Sequence, residues 1–204
     1  MKWETCDSEW WESGRVLAGV DEAGRGALAG PVVAAAVILD PCCIPVGIAD
    51  SKKLTALRRN ELATAIQQSA LAIGVGRVEA ADIDAINILQ ATFRAMHHAL
   101  NNLEPAVPDY VIVDGNRFKP WKVEHRCIVR GDAISVSIGA ASIIAKTVRD
   151  DIMSSTIHTR YPLYGFHKHK GYGTEAHRLA IIQHGHCLEH RKTFLTRVVR
   201  ERHS

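Results

Sequence analysis

Short apolar runs alternate with stretches of helical periodicity along most of this chain, which restricts it to the α/β class. Residues 16–22 and 32–39 are apolar and β-branched, and a Gly/Pro-bearing turn joins them into a predicted strand pair. Residues 71–78, 110–113 and 123–129 predict three further strands. Thr55 is placed to cap a helix running to about Ser69. Ile83, Ile86, Leu89, Phe93, Met96 and Leu100 give helical spacing over residues 83–103, with Asp82 as the cap and Pro105 and Pro108 as the stop. Residues 135–153 are rich in Ala and Ile and predict a long helix buried on most faces. Residues 174–184 predict another, and the final segment has a helical tendency. The expected architecture is a mixed central β-sheet flanked by helices, with a small helical C-terminal region.

The strands end on acids. Asp21 and Glu22 close the first run, Asp114 closes the run at 110–113, and Asp132 follows the run at 123–129. An Asp before or after Gly ordinarily starts a turn, and Asp114 or Asp132 alone has that ordinary reading. The Asp-Glu pair resists it. Neighbouring side chains of a strand face opposite ways, so both acids serve one site only if the chain turns there, and Gly24 and Gly26 supply the turn. Clustered carboxylates repel one another unless a cation neutralises them. An all-oxygen set favours Mg²⁺ or Mn²⁺ over zinc. With such ions bound, a phosphate can approach the acids, and Arg25 with the loop N–H groups can hold neighbouring oxygens. That is the layout of two-metal phosphodiester hydrolysis.

Other glycine-loop chemistries fail on detail. Gly19-x-x-x-x-Gly24-Arg25-Gly26 has Arg where a triphosphate-binding loop has Lys, and Gly26 lacks the hydroxyl that would hold Mg²⁺. Gly24-x-Gly26-x-x-x-Gly30 misses dinucleotide spacing by one residue. No apolar run reaches the roughly 18–20 residues of a membrane helix, and the polar, acidic N-terminus does not resemble a signal peptide. The expectation is therefore a cytoplasmic protein with no membrane partner. Five cysteines without a C-x-x-C pair exclude a disulfide framework. The string His184, His186, Cys187, His190 matches no standard zinc spacing. Net charge is only +3, but basic residues and histidines gather after Arg160, which suits either a polyanionic partner or an ordinary solvated face.

These motifs resemble type 2 ribonuclease H, specifically the bacterial ribonuclease HII family. GVDEAGRG (19–26) with Gly30-Pro31, DSKKL (50–54), NILQAT (87–92) and VIVDGN (111–116) occur in order. Gly131-Asp132, ASIIAKTVRD (141–150), YGFHKHKGYGT (164–174) and HRKTF (190–194) complete the set. The resemblance spans about residues 17–194. It implies a ribonuclease H-like fold in one domain, with a catalytic core over about 17–160 and a substrate-contacting helical region over about 161–204. It also implies an endonuclease that hydrolyses the RNA strand of RNA–DNA hybrids. The same family likeness implies incision 5′ of single ribonucleotides embedded in DNA duplexes, leaving 5′-phosphate and 3′-hydroxyl ends, as in ribonucleotide excision repair.

Carried over by position, Asp21, Glu22, Asp114 and Asp132 match the catalytic, metal-binding acids. Gly24, Arg25 and Gly26 match the loop that senses the ribose 2′-OH, the group that distinguishes RNA from DNA. Tyr172 matches the tyrosine that packs on the sugar at the RNA–DNA junction. Ser51, Lys52, Lys53 and Lys170 are candidate phosphate contacts, and Lys146 either faces the site or pairs with Asp150 one turn later. Ala27 stands where the family usually has Pro, and Thr193 and Thr196 replace a Ser and a Pro. Ribonuclease HIII fits less well, since it has GTG in place of GRG and a Glu in place of Asp132. A catalytically silent hybrid-binding module would leave all four acids unexplained. A monomer is the default expectation.

Overall fold

A computed structural model describes residues 6–48 and 54–196. β1 (Leu17–Ala23) and β2 (Val32–Leu39) pair antiparallel, Gly19 facing Val37 and Ala23 facing Val33. β3 (Ala70–Val78) adds antiparallel beyond β2, while β4 (Tyr110–Asp114) and β5 (Glu124–Ile128) add parallel beyond β1. The order is β3-β2-β1-β4-β5. The parallel pairs make the sheet mixed, as the alternation of runs predicted.

Every residue of β2 is buried, because helices cover both faces of the sheet. On one face α4 (Ile88–Asn101) sets Ala91, Ala95, Met96 and Leu100 against Ala18, Val20, Ala34 and Ala36. On the other, α2 (Ala56–Ser69) and α5 (Val136–Ile152) set Leu62, Ile66, Ala140 and Ile144 against Ala35, Val37 and Leu39. Burying one such large aliphatic side chain contributes about 1.5–3 kcal/mol. Many alanines on both sides let the helix axes approach closely. Glycines mark the close approaches on both faces: a Cβ on Gly74 would lie 2.0 Å from the Ala99 carbonyl oxygen, and one on Gly19 2.2 Å from the backbone carbon of Ser137.

Two acceptors fix the start of α5. Ser135 Oγ accepts from the Ile138 N–H, and the fully buried Asp7 Oδ2 accepts from the Ser137 N–H at 2.8 Å. Asp7 immediately precedes the short α1 (Ser8–Glu12), so an N-terminal residue caps a helix 130 positions away.

One predicted element is wrong. Residues 83–103 form two helices, α3 (Ala80–Ile86) and α4, broken at Asn87 with φ of 65°. The Asn87 side chain accepts from the N–H groups of Leu89 and Gln90, so it caps α4, and Asp82 lies within the first turn of α3. Asn tolerates the left-handed conformation, and its carboxamide competes with a continuous helix. The apolar spacing runs through the break because Ile83 and the inner face of α4 share one core.

Beyond Ile152 the helix passes through a π-helical turn, Met153–Ile157, into α6 (His158–Arg160). The helices α7 (Phe166–His169) and α8 (Glu175–His184) follow, then a 3₁₀ turn at Lys192–Phe194; the rest of the segment expected to be helical, residues 197–204, lies outside the described residues. This region has its own small core of Met153, Ile157, Phe166 and Ile181 around Ala29. No helix among the described residues is long and apolar enough to cross a membrane.

Candidate active site

The last paired residues of β1 and β4 are Val20 and Val113, so the next residues, Asp21 and Asp114, stand side by side where that parallel pairing ends, Asp114 closing β4. Strand ends of this kind are the usual place for functional groups in open α/β sheets. Asp21 is only 6% exposed, and its carboxyl is pushed well above the ordinary range. Burial is the main cause, the charges of Glu22 and Asp114 add to it, and a hydrogen bond from Ser142 opposes it. Burial also raises Glu22, against the pull of Arg25, whose Nη1 lies 3.0 Å from Glu22 Oε1. Asp114 Oδ1 accepts from the Gly131 N–H at 2.6 Å, tying down the 3₁₀ turn Gly131–Ala133 that carries the buried Asp132. Glu22 and Asp132 line one open cleft with Gly24, Ser142, Lys146 and Tyr172.

The donor set suits a hard divalent cation: oxygen ligands only, mutually repelling, with Asp21 and Asp132 buried and Glu22 and Asp114 half-buried. Among the described residues no three His, Cys, Asp or Glu side chains close around a single point. A cation at this site would therefore have to draw the acids closer together or take much of its coordination from water and substrate oxygens, as Mg²⁺ commonly does. Cys187 and His190 pair at 3.1 Å within the C-terminal core and belong to no metal-holding group.

Positive charge rims the cleft. Lys146 Nζ lies 2.6 Å from Asp150 Oδ1 and Arg59 Nη1 3.3 Å from Asp150 Oδ2, while both cations line the cleft. Lys146 thus fulfils both of its sequence readings. Lys170 adopts a left-handed conformation, its ammonium donates to the carbonyl of His167, and it lies outside the residues lining the cleft. Ser51, Lys52 and Lys53 lie outside the described residues.

The glycine loop is a turn, Gly24–Ala27, closed by the Ala27 N–H on the Gly24 carbonyl. Proline at position 27 would lack that N–H. Gly24 has φ of +93°, and a Cβ on it would fall 1.9 Å from Arg149 Nε. Gly26 has no positive φ, and a Cβ there would meet nothing within 4 Å. The fold therefore demands glycine at 24 but not at 26.

Two fully buried arginines hold this loop. Arg149 donates from Nε to the Pro31 carbonyl and from Nη2 to the Ala29 carbonyl, and its guanidinium lies 5.2 Å from the centre of the Tyr172 ring. Arg191 donates from Nε to the Gly30 carbonyl and from Nη1 to the Arg25 carbonyl. Burial and the charge of Arg149 pull Arg191 down to about 9. Backbone bonds from Leu28 N–H to Gly171, Gly30 N–H to Glu189 and Arg191 N–H to Leu28 join loop, tyrosine and tail into one assembly. The tail is fixed in turn by Asp84, which accepts from Lys192 and Thr193. The motifs containing Ser142, Arg149 and Arg191 did not single them out, and Arg59 lies outside all of those motifs. Ser142 precedes Lys146 by one helical turn and was reachable from that spacing; the arginines carried no local signal.

A family model for ribonuclease HII matches residues 18–199. A protein called ribonuclease HII 1 in Methylibium petroleiphilum is 52% identical over 179 residues, covering 88% of this chain and 89% of its own. The crystal structure of ribonuclease H2 from Pyrococcus horikoshii OT3 superposes with a TM-score of 0.74 at 25% identity, over 92% of this chain and 99% of that one. A Bst ribonuclease HIII structure in complex with Mn²⁺ shares the fold with a TM-score of 0.63 at 19% identity, over 91% and 70% of the two chains.

Proposed function

The chain belongs to the ribonuclease HII family, and from that premise we propose that it incises 5′ of single ribonucleotides in duplex DNA as well as cleaving the RNA strand of hybrids. It is a ribonuclease H, a phosphodiester hydrolase. The observation that carries the finer reading is the contrast between Gly24 and Gly26. Nothing in the fold occupies the space a Gly26 side chain would take. A bare backbone at an exposed turn, beside buried acids, suits a sugar edge that must come close.

In this reading Asp21, Glu22, Asp114 and Asp132 hold two Mg²⁺ or Mn²⁺ ions, as their shared oxygen chemistry and raised carboxyls favour. When bound, such ions supply Lewis acidity to the scissile phosphate, promoting in-line hydrolysis to 5′-phosphate and 3′-hydroxyl ends. Ser142 orients Asp21 through its hydroxyl. Asp114 positions Asp132 through the Gly131 N–H. Arg25, half exposed and paired with Glu22, is free to swing onto a phosphate while the turn N–H groups meet the ribose. Tyr172, backed by Lys146 and Arg149, offers a ring face for the adjoining deoxyribose. The region after residue 160 then serves as a substrate-contacting part of a single domain.

The test is a DNA duplex carrying one ribonucleotide, incubated with and without Mg²⁺ or Mn²⁺. Metal-dependent incision at the 5′ side of the ribonucleotide is the expected result. Cleavage of continuous hybrids alone, with the single-ribonucleotide duplex untouched, removes the finer reading.

A further inference from the structure

Arg191 occupies a position that costs stability. Its guanidinium is fully buried over the Phe194 ring, it forms no ion pair among the described residues, and its Nη2 has no hydrogen-bond partner. A charge is retained in such surroundings only when its remaining bonds matter. Those bonds go to two carbonyls, Gly30 and Arg25.

The Arg25 carbonyl belongs to the middle peptide of the Gly24–Ala27 turn. In a trans peptide the C=O and N–H point in opposite directions. A carbonyl drawn inward to Arg191 therefore turns the Gly26 N–H outward. Gly26 is exposed, and its N–H makes no backbone hydrogen bond among the described residues. The middle peptide of a β-turn is also the unit that reverses most easily, exchanging a type I for a type II form. Type II needs positive φ at the third residue, which glycine permits. Gly26 lacks positive φ, yet as glycine it leaves the reversed form open.

We propose that Arg191 is a positioning residue that locks the Arg25–Gly26 peptide with its N–H facing the substrate ribose. The inference rests on the reading of this turn as ribose-sensing. Arg191 touches no substrate and acts only through the peptide it holds, so its loss weakens recognition of the ribose before it weakens the chemistry at the acids.

The test measures steady-state cleavage of the single-ribonucleotide duplex by the parent, Arg191→Lys and Gly26→Ala. Lysine keeps the charge but cannot bridge both carbonyls as the guanidinium does. Arg191→Lys should raise KM about tenfold, the scale of a lost charge-assisted hydrogen bond, with kcat within about twofold. If Gly26→Ala raises KM while Arg191→Lys leaves it at the parental value, the lock is overturned and the ribose reading survives. If neither moves KM, both fail together. A second measurement needs no variant: amide exchange of the unaltered protein. Fast exchange of the Gly26 N–H, slowed by a ribonucleotide-containing duplex in chelator but not by all-DNA duplex, supports the outward peptide, as does slow exchange of the Arg191 guanidinium protons. A Gly26 N–H already protected in the free protein overturns it.

Discussion

Arg149 lies directly beneath Gly24, so close that a Cβ on the glycine would fall 1.9 Å from the arginine's Nε. The same guanidinium supports Tyr172 from below and bonds two carbonyls of the loop. Gly24→Ala must therefore either displace a buried arginine or distort a residue at φ of +93°. It should destabilise the protein by about 2–3 kcal/mol and impair cleavage. Gly26→Ala should leave stability within about 0.5 kcal/mol, since its Cβ meets nothing, while raising KM on ribonucleotide-containing duplex. Denaturant unfolding and steady-state cleavage of both variants check the pair, and equal stability losses would contradict it.

Asp21 opposes folding while it prepares the site. Burial and the charges of Glu22 and Asp114 raise its pKa, so its ionised form destabilises the metal-free protein at neutral pH. Asp21→Asn should therefore raise stability in chelator by about 1 kcal/mol, as removal of strained site groups often does. Turnover should fall about a thousandfold, the scale of losing a principal electrostatic element of a site. Added Mn²⁺ should raise the parental Tm and leave the variant's nearly unchanged. A lowered Tm in chelator would show that Asp21 is a structural acid.

The acids stood out because each lies at or just past an apolar run, although only Asp114 ends its strand: Asp21 and Glu22 lie within β1, and Asp132 sits in the turn after β5. Asp114 falls beside Asp21 through strand register, which the runs imply but do not state. Asn87 was not legible, because the same core takes apolar residues from both helices and the period passes through the break. Arg149 and Arg191 were hidden for a different reason. An arginine on a helix or in a tail ordinarily reads as solvated, and only the convergence of four loop carbonyls makes these two buried supports.

Asp7 caps α5 from across the molecule, and α5 carries Ser142 and Lys146 to the cleft. Asp7→Ala leaves the Ser137 N–H buried without its acceptor, at a cost of about 1–3 kcal/mol. Residual activity at low temperature should stay near parental, because no acid of the site is moved. Thermal unfolding alongside cleavage at 15–20 °C below the new Tm, about the margin a mesophilic domain keeps, separates the two effects. Unchanged Tm would mean the N-terminal segment does not hold the helix.

Acid should loosen the C-terminal region first. The Cys187 N–H donates to His190 Nδ1, His190 Nε2 meets His177 Nε2 at 3.1 Å, and His177 Nδ1 meets the Tyr172 carbonyl at 2.9 Å. With His190 carrying its proton on Nε2 and His177 on Nδ1, every ring nitrogen is used and an added proton breaks a bond. Burial is the main reason the folded pKa values drop, to about 4 for His177 and about 3 for His190. Below the unfolded value of about 6.5 the unfolded chain binds protons that the folded chain refuses, so stability falls with pH from there to about 4 and is level above 7. Each histidine steepens that slope by at most about 1.4 kcal/mol per pH unit. The raised carboxyls of Asp21 and Glu22 act in the opposite sense, so the informative quantity is a difference between proteins. Between pH 7 and 5 the parent should lose about 1–2 kcal/mol more than His177→Asn, measured by urea unfolding at each pH. Parallel losses in the two proteins would take this histidine out of the acid response.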